Sequence, residues 1–523
     1  MEFLENQKKY FGFQLTPEQE EVVRKLLEFF DGDGHVFVLR GYAGTGKTSL
    51  VKGIIQYLAS KSVASVLLAS TGRAAKILSD KAKVQVQTVH SRIYTPVVKH
   101  LEHLAVPGKN PDIREFRLEF ELDENEDPED TVYFVDESSM ISNHKVRSTL
   151  LDFGSGRLLS DYFEYLGPRK VVFIGDPAQL PPVNTRFSAA LNTEYLTSQF
   201  GKKVVDAELT RIMRFPSGAG IAANTERLRR TIQKGKYPYL TISVSEFNDC
   251  FRYKNDREFV QAYVHSIRER GVDNNILLVL SNKAAARYNH KVRSGLFGRK
   301  ALEPLNTGEA LMVVRNNYHY GVYNGDLVYF EKANRSIKRA GMEFIDVHIR
   351  LNEAGEGARL IRSYAVKDLL LSDERDLTLE QEKNIQMDFF IRMGKVADAL
   401  VRGKENRITA ENVVKLNQHL RSRWGYTVEL PEKIMQKSLS KTRLRKELVI
   451  ANYQTDPFLN AIRLKYGYAV TCHKAQGGEW EDVFILLDPV LFYTDKENQY
   501  RWAYTAISRS VKRIHFLDNM CIY

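Results

Sequence analysis

The sequence feature that most constrains the fold is the stretch at residues 41–48, which reads GYAGTGKT. It matches the phosphate-loop pattern G-x-x-x-x-G-K-[ST] at every fixed position. A short β-branched apolar run precedes it at residues 35–40, and apolar residues recur at helical spacing over residues 49–58. A strand, a glycine loop and a helix in this order aim backbone N–H groups at a phosphate chain. We therefore predict a nucleoside triphosphate site, with Lys47 on the β- and γ-phosphates and the Thr48 hydroxyl on Mg²⁺.

Length, charge and cysteine content limit the class of protein. A chain of 523 residues is too long for one hydrophobic core, so we expect three or four domains. The net charge of +11 indicates a polyanionic partner, which could be DNA, RNA or an anionic membrane surface. Three widely spaced cysteines without a C-x-x-C pair predict a reducing compartment, with no disulfide framework and no zinc site. No signal peptide and no membrane-spanning run is found, so we expect a soluble cytoplasmic protein, associated with the nucleoid if it is bacterial.

Two carboxylates follow a predicted strand at residues 131–135. With a phosphate loop in the chain, Asp136 suits a contact to Mg²⁺, and Glu137 is placed to orient an attacking water. An Asp-Glu pair alone would usually mean only the end of a strand. Further strands are predicted at residues 64–70 and 171–176, alternating with helical stretches. This alternation indicates a parallel sheet whose ligands lie at the carboxyl ends of the strands.

Gln19 allows two interpretations that its spacing does not separate. With Thr16 as N-cap and Pro17 at the first helical position, Gln19 completes a capping box. A carboxamide just upstream of a phosphate loop could also recognise adenine with one donor and one acceptor.

Three stretches depart from the α/β pattern. Residues 92–128 contain a Pro/Gly/Lys loop and a run of period two, which predicts a small β insertion, and the acidic run that follows is expected to be a solvated loop. Short strands and turns over residues 308–366 predict a small barrel. Residues 368–447 predict charged helices. They end in a basic cluster that is most often a solvated face, with nucleic-acid contact as the minority interpretation: Lys433, Lys437, Lys441, Arg443, Arg445 and Lys446.

Six motifs stand in the order found in superfamily 1 helicases. They are residues 41–48 (GYAGTGKT), 71–75 (TGRAA), 136–140 (DESSM), 175–182 (GDPAQLPP), 471–479 (TCHKAQGGE) and 504–509 (YTAISR). The chain resembles subfamily B, the RecD-like and Pif-like branch that also holds the phage helicase Dda. The resemblance covers about residues 10–330 and 460–523, and the helical segment lies outside it. In motif IV Arg214 fits, but Phe215 stands where this branch often has Gln, a departure that concerns a minor polar contact and not the activity.

The resemblance implies an α/β fold with two RecA-like P-loop domains, a small β insertion in the first, and a β-barrel plus helical insertion in the second. The implied bounds are 1–91 and 129–212 for the first RecA-like domain, 92–128 for the β insertion as a strand-separating pin, 213–307 and 460–523 for the second RecA-like domain, 308–367 for an SH3-like barrel, and 368–459 for a helical insertion of unknown role.

The resemblance also implies an ATP-dependent DNA helicase that moves 5′ to 3′ on single-stranded DNA in replication, recombination or repair, with ATP and Mg²⁺ as cofactors. The implied catalytic residues are Lys47, Asp136, Glu137, Gln179, Arg214 and Arg509. Gln179 would sense the γ-phosphate, and the two arginines, from opposite sides of the second half of the cleft, would supply charge to the transition state. The implied nucleotide-binding residues are Gln19, Gly41, Ala43, Gly44, Thr45, Gly46, Lys47, Thr48, Ser49, Gly478 and Glu479, with Thr48 and Asp136 as metal ligands. The implied DNA-binding residues are Thr71, Gly72, Arg73, His90, Thr471, His473 and Lys474.

The implied partners are single-stranded DNA and junctions of single- and double-stranded DNA. Single-strand-binding, replication or recombination proteins are further candidates, no membrane is implied, and the protein is expected to be monomeric. Two alternatives stay open: an RNA helicase of superfamily 1, and a nucleotide-switched motor subunit of a larger recombination complex that unwinds little alone.

Overall fold

The computed structural model describes residues 7–97, 118–145, 151–183, 185–214, 218–353, 357–400, 410–424, 427–430, 440–519 and 521–523. The strands are β1 Val36–Gly41, β2 Ser65–Ala69, β3 Gln87–Thr88, β4 Tyr94–Val97, β5 Leu118–Leu122, β6 Val132–Asp136, β7 Leu151–Phe153, β8 Lys170–Gly175, β9 Val204–Leu209, β10 Cys250–Tyr253, β11 Asn275–Val279, β12 Ala310–Val313, β13 Leu327–Arg339, β14 Met342–Glu353, β15 Gly357–Val366, β16 Leu464–Tyr466, β17 Ala469–Thr471, β18 Trp480–Ile485 and β19 Ser510–Leu517. The helices are α1 Gln7–Phe11, α2 Pro17–Asp31, α3 Lys47–Ser60, α4 Gly72–Ala82, α5 Val89–Ile93, α6 Leu158–Leu166, α7 Thr193–Phe200, α8 Gly220–Lys234, α9 Asp256–Arg270, α10 Asn282–Phe297, α11 Lys367–Leu371, α12 Leu379–Leu400, α13 Ala410–Trp424, α14 Lys441–Asn452 and α15 Lys496–Ile507.

The first unit is built on a six-stranded parallel sheet with the order β3-β2-β6-β8-β1-β9. Its central strands are apolar on both faces, as parallel strands covered by helices must be. In β1, Phe37 and Leu39 face a core shared with α2 and α3, whereas Val36 and Val38 face a second core shared with α5, α6 and α7. Alternation along a strand therefore supplies two hydrophobic cores from one sheet.

The second unit is built on a five-stranded parallel sheet with the order β10-β19-β18-β11-β17. Helices α9 and α10 cover one face, and α8 and α15 cover the other. Two parallel sheets, each covered by helices, confirm the predicted α/β class with two parallel-sheet units.

A five-stranded antiparallel sheet has the order β15-β14-β13-β12-β16. Its strands β12–β15 come after β10 and β11 of the second unit along the chain, and β16 comes after the helical segment. Its two edges meet, because Ala365 bridges Ile462 and the Ile462 N–H donates to the Tyr364 carbonyl at 2.8 Å. Strand β16 lies within residues 460–523, which the sequence assigned to the second RecA-like domain. The expected boundary differs here, because a three-residue strand gives no separate sequence signal.

The helical segment has a hydrophobic core of its own. Residues of α12 and α14, among them Phe389 and Leu448, pack with Phe344 of β14 and with Phe458. Arg392 lies in this core and donates to both carboxylate oxygens of Asp456, one of them at 2.8 Å from Nη2. The helical segment is thus anchored on the antiparallel sheet through α12, α14 and Phe458.

A small three-stranded sheet joins β4, β5 and β7. Strand β7 lies outside the predicted insertion at 92–128, and it joins because Phe153 stacks on Phe120 with ring centroids 4.4 Å apart. Residues 98–117, which carry much of the predicted pin, lie outside the described residues, as do Phe215, Lys433 and Lys437.

None of the helices in the described part of the chain combines the length and the apolar character that a membrane span requires.

One buried ion pair ties the antiparallel sheet to the second unit. Arg293 of α10 pairs with Glu309, which precedes β12, and their side chains are 3% and 0% exposed. Glu309→Ala would leave the guanidinium buried without its counter-charge, so we expect a loss of about 3–5 kcal/mol in stability. The measurement is the thermal unfolding midpoint. The matched control is Glu411→Ala, which removes an exposed pair with Lys415 and should leave the midpoint nearly unchanged. Equal midpoints for the two variants would contradict a stabilising role for the Arg293–Glu309 pair.

Candidate functional site

The loop between β1 and α3 is shaped to receive a phosphate chain. Gly44 and Gly46 have φ of +79° and +86°, a region that glycine adopts without strain. The Lys47 ammonium donates to the carbonyls of Gly41 at 2.6 Å and Tyr42 at 2.9 Å. The N-terminus of α3 and the loop N–H groups border a cleft of about 650 Å³. This loop therefore presents positive partial charge and a lysine to the cleft.

Both units contribute to the wall of this cleft. Most of the predicted nucleotide and catalytic residues line it: Ala43, Gly44, Thr45, Gly46, Lys47, Thr48, Ser49, Asp136, Glu137, Gln179, Arg214, Glu479 and Arg509. Gln19, Gly41 and Gly478 are not among the lining residues. The wall also contains residues for which the sequence predicted no role: Lys9, Tyr10, Phe11, Gly12, Phe13, Lys52, Gln56, Ala82 and Gly477. The run YFGF at residues 10–13, with three aromatic residues around a glycine, is the sequence signal that could have identified these four residues as part of the cleft wall.

Thr48 and Asp136 fit a Mg²⁺ site. The Thr48 Oγ1 lies 3.5 Å from the Asp136 Oδ2, because the strand ending in Asp136 and the phosphate loop open at the same edge of the sheet. The other carboxylate oxygen accepts the Glu137 N–H at 2.8 Å. No group of three or more metal-binding side chains occurs within the described ranges. A pair of oxygen ligands, one hydroxyl and one carboxylate, suits Mg²⁺, which binds few protein oxygens and completes its coordination shell with water and substrate phosphates.

Glu137 is a buried carboxylate in a strained backbone position. Its φ of +51° is uncommon for a residue with a Cβ, and such strain is often found at functional sites. Burial raises its pKa, the neighbouring Asp136 raises it further, and Arg509 and Lys47 oppose the rise. Its Oε2 has no hydrogen-bond partner in the described part of the chain. That oxygen is an unpartnered acceptor on a residue that lines the cleft, as a water-activating base requires.

Gln179 lies beside the same edge of the first sheet, after β8. Its Nε2 donates to the Asp176 Oδ2 at 3.4 Å, and its side chain is almost fully buried. Its Oε1 has no hydrogen-bond partner among the described residues. The carboxamide can thus accept a further hydrogen bond at the cleft wall.

The two arginines reach the cleft from different units. Arg509 belongs to the second unit, and its guanidinium donates to the Gly478 carbonyl at 3.3 Å and to the Ser508 hydroxyl at 3.0 Å. Arg214 pairs with Glu479 of the second unit. However, Arg214 itself follows β9, and the preceding Met213 N–H donates to the Gly44 carbonyl at 2.8 Å. The expectation that both arginines come from the second half is therefore wrong for Arg214, because β9 pairs with β1 and ends beside the phosphate loop.

The structure contains the capping box that the sequence predicted for Thr16 and Gln19. Its Oε1 accepts the Thr16 N–H at 3.0 Å, and its own N–H donates to the Thr16 hydroxyl at 3.3 Å. Its Nε2 donates to the Thr45 carbonyl at 3.4 Å, so the side chain also supports the phosphate loop. The carboxamide is engaged at both ends within the protein, and Gln19 itself is not among the residues that line the cleft.

Three predicted DNA-binding residues lie where α4 meets the antiparallel sheet and the second unit. The Thr71 hydroxyl caps α4 by accepting the Ala74 N–H at 3.2 Å. A Cβ on Gly72 would lie 2.3 Å from the Tyr323 side chain, so that side chain covers Gly72. Arg73 donates to the Gly325 carbonyl at 3.2 Å and stacks over Trp480, and burial lowers its pKa to about 10. In this conformation the Tyr323–Gly325 turn covers Gly72 and contacts Arg73, and the DNA-binding role of the two residues stays a prediction.

The other predicted DNA-binding residues are half-buried. Burial lowers the pKa of His90 to about 4, so its imidazole is neutral at pH 7 and offers no cation to a phosphate. Burial and the nearby Arg375 lower the pKa of His473, and they lower that of Lys474 to about 8. Thr471 and Lys474 line a small cavity of about 40 Å³ together with Asp373 and Glu374, which follow α11. The start of the helical segment thus reaches this part of the second unit.

Comparison with known families matches two models to this chain. An AAA domain matches residues 14–237, and a UvrD-like helicase C-terminal domain matches residues 466–517. Together they contain all six motifs on which the resemblance depends.

Three relatives are similar at low identity. An uncharacterised protein of Acanthamoeba polyphaga mimivirus is 22% identical over 95% of this chain and 99% of its own length. An uncharacterised protein of Methanocaldococcus jannaschii is 24% identical over 95% of this chain, which spans 37% of that protein. The ATP-dependent DNA helicase dda of Enterobacteria phage T4 is 26% identical over 54% of this chain and 57% of its own length.

Two solved structures also match most of the chain. The Pif1 helicase from Candida albicans gives a TM-score of 0.45 at 15% identity, over 97% of this chain and 95% of that chain. Pif1 helicase from Bacteroides in complex with ADP-AlF3 and single-stranded DNA gives 0.42 at 17% identity, over 96% and 92%.

The two family models and the similarity to the phage helicase agree with the order of the six motifs. The chain thus combines an AAA domain with a UvrD-like helicase C-terminal domain, in the motif order of the superfamily 1 helicases that it resembles.

Proposed function

We propose that this protein is an ATP-dependent DNA helicase that hydrolyses ATP in the cleft between its two parallel-sheet units and moves 5′ to 3′ along single-stranded DNA. One observation carries the proposal. A single cleft collects the phosphate loop, the Thr48–Asp136 pair, the open acceptors of Glu137 and Gln179, and Arg509 of the second unit. Its similarity to a protein named an ATP-dependent DNA helicase and its net charge of +11 support DNA as the polyanion.

The first unit would bind and prepare the nucleotide. Lys47 and the loop N–H groups would hold the phosphates, and Thr48 and Asp136 would hold Mg²⁺. The metal, when bound, would neutralise charge on the phosphate oxygens. Glu137 would orient the attacking water and accept its proton, which requires the charged carboxylate.

The second unit would complete the site when the cleft closes. Arg509 would exchange its bonds to Gly478 and Ser508 for contacts to the phosphoryl group, where a planar guanidinium can bind two oxygens. DNA lying across both units would favour this closure and so stimulate hydrolysis. We assign the DNA contacts of the second unit to Thr471, His473 and Lys474. The small sheet of β4, β5 and β7 is the base of the proposed strand-separating pin.

The first test of this function is the nucleic acid that stimulates ATP hydrolysis. With purified full-length protein, single-stranded DNA should raise the rate more than single-stranded RNA of the same sequence. Lys47→Ala should abolish hydrolysis and leave DNA binding near that of the wild type, because Lys47 is a point charge on phosphates. Stronger stimulation by RNA would favour the RNA helicase alternative. A folded Lys47→Ala protein with normal turnover would refute the proposed nucleotide site.

The second test is the direction of movement. A duplex with a 5′ single-stranded tail should be unwound, whereas the same duplex with a 3′ tail and a blunt duplex should not. The measurement is strand separation with a labelled strand under excess ATP. Unwinding from 3′ tails only would contradict the proposed polarity, and DNA-stimulated hydrolysis without unwinding would favour a motor subunit of a larger complex.

A further inference from the structure

The hydroxyl of Tyr504 joins the two units at the nucleotide site. Tyr504 lies on α15 of the second unit and is fully buried. Its hydroxyl donates to the Asp176 Oδ2 at 2.7 Å and accepts the Ala43 N–H at 3.2 Å. Ala43 belongs to the phosphate loop, and Asp176 is the first residue of the loop that contains Gln179. A single oxygen atom therefore connects the second unit with two catalytic loops of the first.

The buried Asp176 carboxylate makes this hydroxyl important. Asp176 is 1% exposed, and its Oδ1 accepts the Ala178 N–H at 2.9 Å. Its Oδ2 receives the Tyr504 hydroxyl at 2.7 Å and the Gln179 Nε2 at the longer distance of 3.4 Å. A buried carboxylate is stable only when hydrogen-bond donors replace the lost water. Of these three donors the Tyr504 hydroxyl lies closest to the carboxylate, and it comes from the other unit.

Neighbouring side chains hold the same loop by its backbone. The Thr505 hydroxyl accepts the Leu180 N–H at 3.0 Å, and the Gln476 Nε2 donates to the Leu180 carbonyl at 2.9 Å. Arg501 donates to the carbonyls of Pro177 at 2.5 Å and Gln179 at 3.2 Å. The loop at residues 176–180 is therefore fixed to α15, although its strand belongs to the first sheet.

We propose that Tyr504 is a positioning residue that couples the phosphate loop and the 176–180 loop to the second unit. Its bonds stabilise the arrangement in which Gln179 and Arg509 meet the phosphate loop. Tyr504 is not among the residues that line the cleft, and it acts through Asp176 and Ala43. The inference rests on the proposed ATP-driven function, and it assigns to the Tyr504 hydroxyl a share of the coupling that the hydrophobic contact between the units does not supply.

Tyr504→Phe isolates the hydroxyl, since phenylalanine fills the same space. We expect the DNA-stimulated kcat to fall about ten- to hundredfold, the range for a lost hydrogen bond to a charged group, with the KM for ATP changed less than about threefold. The matched control is Tyr500→Phe on the same helix, whose hydroxyl contacts the Tyr239 carbonyl at 3.3 Å within the second unit. This control should behave like the wild type. A kcat for Tyr504→Phe equal to that of the control would overturn the inference.

A second readout does not depend on turnover. All three native cysteines are buried, so cysteines introduced at the exposed positions Lys61 and Arg257 can carry a fluorophore pair that reports the distance between the units. ADP with aluminium fluoride should shift this distance in the wild type and in Tyr500→Phe, but less in Tyr504→Phe. An equal shift in all three proteins would overturn the inference. Wild-type protein without DNA-stimulated hydrolysis would refute the proposed function, and the distance measurement would still test Tyr504.

A double-mutant cycle separates the bond from general stability. Asp176→Asn removes the charge that the Tyr504 hydroxyl stabilises. If the two side chains act through one bond, adding Tyr504→Phe to Asp176→Asn should lower kcat much less than Tyr504→Phe does alone. Fully additive losses would contradict the proposed coupling.

Discussion

The parallel pairing of β1 with β8 and of β2 with β6 brings the loops after these strands to one edge of the first sheet. The site depends on this constraint, because the lysine, the metal-binding oxygens and Glu137 come from loops far apart in sequence. The apolar strands hold these loops at fixed spacing, so polar groups can stay at the cleft with open acceptors. A second sheet of the same kind then faces this edge and supplies Arg509.

The contact between the two units is polar as well as hydrophobic. Helix α15 packs in the second unit through Trp502 and Ile507, yet it also fixes the 176–180 loop by hydrogen bonds. A movement of α15 relative to the first sheet would therefore also move the loop that carries Gln179. The Tyr323–Gly325 turn contacts Gly72 and Arg73 of the first unit, so the antiparallel sheet also contacts both units.

The sequence predicted what local pattern and motif order can encode. The glycine loop, the strand ending in Asp136 and the capping box at Gln19 follow from short-range spacing, and the structure contains all three. The position of Arg214 could not be predicted, since it depends on β9 pairing with β1. The covering of Arg73 depends on a turn about 250 residues further along the chain. Strands β7 and β16 have only three residues each, which is too few to leave a periodic signal in the sequence. Tyr504 lies inside a recognised motif, but only the fold shows which loops its hydroxyl reaches.

The central claim is that the catalytic site is shared between the two units, and Arg509 tests it most directly. In Arg509→Ala the DNA-stimulated turnover should fall by about 10³–10⁵, as for other arginine fingers, while the affinity for a non-hydrolysable ATP analogue changes little. Arg509→Lys should recover little activity, because a point charge cannot bind two oxygens. The exposed Arg299→Ala in the same unit serves as the control. Near-normal turnover in folded Arg509→Ala would contradict a shared site.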